Sequence, residues 1–133
     1  MRTTWTGMPK DLKDAATPLL SKHGSILPGW VKLLTIRYDD DMVGANATIA
    51  SEQIYGRCTL TFGAGWLNLD AAEREWTVVH ELLHPQLAPL ERALEEWLGA
   101  LPLKMRAVAD TRFEGAIEEA VSGLAYVLVR EVE

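Results

Sequence analysis

DAAEREWTVVHELLH, residues 70–84, holds two of the chain's 3 histidines four positions apart, with a glutamate directly after the first. Its start is marked by side chains. Asp70 followed three positions later by Glu73 fits a capping box, in which each carboxylate accepts from a backbone N–H that the first helical turn leaves free. Advancing about 100° per residue, Ala72, Trp76, Val79 and Leu83 fall on one arc, widened by Val78 and Leu82. Glu73, Thr77, His80, Glu81 and His84 share the other side, so the histidines leave the apolar arc intact. They lie about 40° apart on successive turns, which lets two imidazole nitrogens converge on one point.

The arrangement His80-Glu81-Leu82-Leu83-His84 is an HExxH pattern, and each part has a chemical reason. Two neutral imidazoles one turn apart supply nitrogens at zinc distance, and a carboxylate beside the first can take a proton from water at the metal. Such a zinc site needs a third protein group and keeps one position open. PQLAPL follows His84 with neither glycine nor histidine, which excludes a third histidine at the spacing HExxHxxGxxH. A carboxylate from a later helix is the next candidate, and the last periodic segment offers Glu114, Glu118 and Glu119. On its wheel the apolar arc contains Phe113, Ile117, Ala120, Leu124 and Leu128. Glu118 stands at the edge of that arc, Glu114 shares the edge one turn earlier, and Glu119 points away. Pro85 lacks an N–H and disfavours helical geometry in the residue before it, so the helix is expected to kink or end at His84. His23, alone near a helix end, reads as a C-terminal or surface residue rather than a ligand.

Outward from this segment the order of elements is helix, sheet, helices. PKDLKDAATPLLSKH (9–23) has Leu12, Ala16, Leu19 and Leu20 at helical spacing, with Pro18 placed to kink it. Three segments, 31–41, 43–52 and 55–67, are short, rich in β-branched and aromatic residues, and separated by turn residues. Connections this short admit no crossover helix, which predicts a small, three-stranded, mainly antiparallel sheet. After residue 70 the period changes to that of helices. The fold class expected is α+β: a single domain over 1–133 with helices gathered against the sheet.

Composition narrows the partners. A chain of 133 residues with 48% hydrophobic content can build one core. A net charge of -6 without a basic cluster argues against nucleic acid and anionic membranes. No apolar run approaches the ~20 residues that cross a bilayer. The single Cys58 and an N-terminal MRTTWTGMPK without a signal-like run point to a cytoplasmic setting.

HELLH followed, after a helical spacer, by Glu118-Glu119-Ala120-Val121-Ser122-Gly123-Leu124-Ala125 resembles the small gluzincin-type metallopeptidase domains (minigluzincin-like) often encoded by phages and prophages. The resemblance spans roughly the second half of the chain. It implies a zincin-like fold, with zinc held by His80, His84 and Glu118, Glu81 as general base, and Ser122 supporting a ligand, while Glu114, by its place on the wheel, is the competing ligand or supporting group. It also implies a peptide substrate, for which 55–67, with Gly63 and Gly65, is the strand expected to pair with an extended chain. Two other readings stand beside it. Peptide deformylases join HExxH to a cysteine, for which Cys58 is the candidate, and a zinc-binding interaction or regulatory protein could keep the ligands without cleaving anything.

Overall fold

The computed structural model describes residues 1–132 and is α+β. Strand β1 (Arg2–Thr6) leads through helix α1 (Lys10–His23) to β2 (Leu33–Asp39), β3 (Ala47–Glu52) and β4 (Arg57–Gly63). Helices α2 (Ala71–Leu83), α3 (Ala88–Gly99) and α4 (Leu103–Val132) complete the chain. Pro18 lies inside α1 without dividing it. Among the described residues no helix is long and apolar enough to cross a membrane.

The sheet departs from the expectation of three antiparallel strands. It has four, in the order β1-β2-β4-β3, and only the β3–β4 pair is antiparallel. Two physical facts account for the difference. RTTWT forms an N-terminal strand, and α1 then serves as the crossover that brings β2 parallel to β1. Next, β4 returns from β3 through a tight turn and inserts between β3 and β2, which leaves it parallel to β2. Gly56 makes that turn possible with φ 63, where a Cβ would also stand 3.0 Å from the Trp30 carbonyl oxygen.

The insertion also corrects the strand expected to meet a substrate. Within 55–67, β4 is hydrogen-bonded on both sides, by β2 and by β3, so it has no free edge to offer. The free edges belong to β1 and β3.

Register puts Trp5, Ile36, Leu60 and Ile49 on one face of the sheet, and Thr4, Thr35, Thr59 and Ala50 on the other. The first face is the core face. Leu34, Ile36, Leu60 and Phe62 pack there with Leu12 and Ala16 of α1, with Trp66 beyond β4, and with Val78 and Leu82 of α2. The next two residues of α2's apolar arc turn the other way: Val79 and Leu83 pack with Val121, Ala125 and Val129 of α4. Helix α2 is thus the middle layer, between sheet and α4, and the strip left between its two buried faces carries the histidines. Burial on α4 corrects the wheel drawn from sequence, because Ala120 is exposed and Leu124 half exposed, whereas Val121 and Ala125 are fully buried. Glu118 and Ser122 flank this true packing face.

A candidate metal centre

Helix α2 begins as its side chains require. The Glu73 backbone N–H donates to Asp70 Oδ1 at 2.8 Å, and the Asp70 N–H donates back to Glu73 Oε2 at 3.4 Å. At the other end α geometry stops at Leu83, and the chain continues as a 3₁₀ turn over His84–Leu87, with Pro85 buried. Pro85 therefore ends the α-helix at the second histidine, as expected. His84 itself keeps helical torsions, φ -53 and ψ -44, so its side chain stays on the face of His80.

The two imidazoles and one carboxylate converge. His80 Nε2 and His84 Nε2 stand 3.3 Å apart. From α4, Glu118 reaches across with Oε2 at 3.2 Å from His80 Nε2 and Oε1 at 3.0 Å from His84 Nε2. Donors about 2.0–2.1 Å from a tetrahedral zinc are about 3.3–3.4 Å from one another, and the two ring nitrogens, each also 3.0–3.2 Å from one oxygen of the Glu118 carboxylate, come close to that spacing. The chemistry of the set points the same way. Two facing ring nitrogens cannot both carry protons at this distance without repulsion, and a carboxylate facing both adds further electron pairs that a cation would satisfy.

Surroundings tune each group. His80 is almost fully buried, under the Trp76 ring at a centroid distance of 5.0 Å. Burial, then the neighbouring His84, lowers its pKa against the opposing pull of Glu118, which favours the neutral, metal-binding imidazole. Its outer nitrogen, Nδ1, faces Ser122 Oγ at 3.4 Å. The outer nitrogen of His84 faces Glu91 Oε1 at 3.9 Å, too far for a direct hydrogen bond but within reach of a small movement. Glu81 Oε1 stands 3.9 Å from His80 Nε2. Burial and the nearby Glu118 charge push the Glu81 carboxyl up to about 8, against the opposing pull of the Ile49 backbone on β3.

The sequence-derived candidates divide as follows. His80, Glu81, His84, Glu118 and Ser122 are brought together. Glu114 is exposed and lines the cleft beside Glu118, but among the described residues it forms no ion pair with either imidazole. Glu119 is exposed as expected. Cys58 is buried on β4 beside Ser51 Oγ, at 3.7 Å, and lies outside the His80–Glu81–His84 group, so the ligand set of a deformylase is not assembled. His23 does end α1, yet it is buried and paired rather than a surface residue: its Nε2 stands 2.7 Å from Glu75 Oε1. Glu91 was not anticipated. A signal existed in its position seven residues, two helical turns, after His84, but it becomes readable only if helical direction persists through Pro85.

In comparisons with protein families, curated proteins and solved structures, no match to this chain is found.

Proposed function

We propose that this protein is a zinc-dependent peptidase of zincin-like build, with His80, His84 and Glu118 as ligands and Glu81 as general base. The observation that supports it most is the convergence of the two imidazole Nε2 atoms and the Glu118 carboxylate, at separations of 3.0–3.3 Å, with the largely buried Glu81 carboxylate beside them. Zinc bound there would supply a Lewis acid that makes water a stronger acid and polarises a substrate carbonyl. The chain's own residues do the rest. Glu81, largely buried next to His80, accepts the proton of the attacking water and passes it to the leaving amine. Ser122 holds the His80 ring by its outer nitrogen, and Glu91 faces that of His84. Strand β3 has a free edge and packs against α2, the helix that carries Glu81. An extended peptide added to β3 would lie along the Glu81 side.

The test joins metal analysis of protein purified without chelator to cleavage of a broad peptide library by wild type and Glu81→Gln. One zinc per chain, with cleavage by wild type alone, is expected. Zinc retained with no peptide cleaved would instead favour a non-catalytic, zinc-binding interaction or regulatory protein.

A further inference from the structure

Between α3 and α4 a cleft of about 310 Å³ opens beside the site, with the ligands His84 and Glu118 in its wall. Its apolar surface comes from Leu98, Phe113 and Ile117, and its acidic surface from Glu95, Asp110 and Glu114. These acids lack the cationic partner that some others on this protein have. Asp14, Glu52 and Glu75 each pair with a lysine or arginine at 2.7–3.0 Å. Among the described residues, Glu95, Asp110 and Glu114 have no such partner, and Arg106 near the cleft donates to the carbonyls of Leu101 and Gly99 instead. An apolar channel lined by uncompensated carboxylates complements a side chain with an aliphatic stem and a cationic end.

We propose that this cleft selects a basic substrate side chain, lysine or arginine, next to the bond that is cleaved. The inference rests on the peptidase reading, and its test separates the two. Nα-acetyl-lysine hydroxamate and Nα-acetyl-norleucine hydroxamate both carry a zinc-chelating group that needs no turnover, and the second lacks only the ammonium. Calorimetry on the zinc-loaded protein should find the lysine probe bound roughly tenfold or more tightly. Raising the salt concentration should shrink that ratio, because the carboxylates are exposed. In the Glu95→Gln/Asp110→Asn variant the ratio should fall toward one, with circular dichroism unchanged.

Equal binding of the two probes to wild type would overturn the cleft inference and leave the peptidase reading standing. A preference for lysine unaffected by salt and by the double variant would overturn the assignment to these carboxylates. A lysine preference that follows the double variant, in a protein that cleaves no peptide, would support the cleft and refute the peptidase. Binding of neither probe would overturn both.

Discussion

Glu118 Oε1 stands 3.0 Å from His84 Nε2 across the interface between α4 and α2, and the same carboxylate meets His80. The proposed metal site therefore draws on two helices, and the placement of its third candidate donor depends on the packing of Val121 and Ala125 against Val79 and Leu83. Glu118→Ala should lower zinc affinity by orders of magnitude, whereas Glu119→Ala, on the exposed side of α4, should leave it nearly unchanged. Competition against a chelating dye reads both. Equal affinities in the two variants would remove Glu118 from the ligand set.

The outer nitrogens of the two histidines give a graded expectation. Ser122 faces one and Glu91 the other, so Ser122→Ala and Glu91→Gln should each weaken zinc binding about 10- to 100-fold, as loss of outer partners does. Glu114→Gln, which touches neither ring, should change affinity less than either. The same dye titration ranks the three, and a larger loss for Glu114→Gln would return it to the candidate ligands.

What the sequence made legible was local. Asp70, Glu73 and the spacing of His80, Glu81 and His84 lie on one continuous helix, where caps and a 3.6-residue period are read directly. Pairing between distant segments was not legible. RTTWT is five residues long and mostly polar, so β1 shows little alternation, and without it α1 could not be seen as a crossover. Nothing within 55–67 indicates that β4 slides between β2 and β3. On α4, apolar residues occur nearly all round the helix, so its period leaves the packing face undetermined; contact with α2 selects Val121, Ala125 and Val129. His23 is buried because Glu75, on another helix, meets its ring.

Glu81, the proposed base, also bears on stability. Without metal, burial first and Glu118 second hold its carboxyl near 8, above the ordinary 4.5. The folded chain then keeps a proton that the unfolded chain releases, so stability falls as pH rises from 4.5 to about 8. In chelator-treated protein Glu81→Gln should abolish that slope and raise stability at pH 8 by on the order of a few kcal/mol. Once zinc is restored, the same variant should bind metal and hydrolyse nothing, since an amide cannot take the proton. Urea titrations across the pH range measure the first effect, and metal content with peptide cleavage the second. Wild-type cleavage by the variant would exclude Glu81 as base.

The opposite sign belongs to Glu75, which joins α2 to the end of α1. Its Oε1 accepts from Lys22 Nζ and pairs with His23 Nε2, both at 2.7 Å, and the carboxylate is largely buried. Lys22 first and His23 second hold its pKa below the ordinary 4.5. The unfolded chain takes up this proton before the folded one does. The stabilisation is therefore complete above 4.5 and is lost as pH falls through the lower folded value. Glu75→Gln should cost about 1–3 kcal/mol at neutral pH, because buried His23 loses a charged partner. The gap between wild type and variant should then narrow steadily below pH 4.5. Urea unfolding of chelator-treated protein from pH 7 down to 3 reads that gap without interference from metal linkage. A gap of constant size throughout would mean that Glu75 acts by packing alone, and that its pairing with Lys22 and His23 contributes nothing to the seating of α2 on α1.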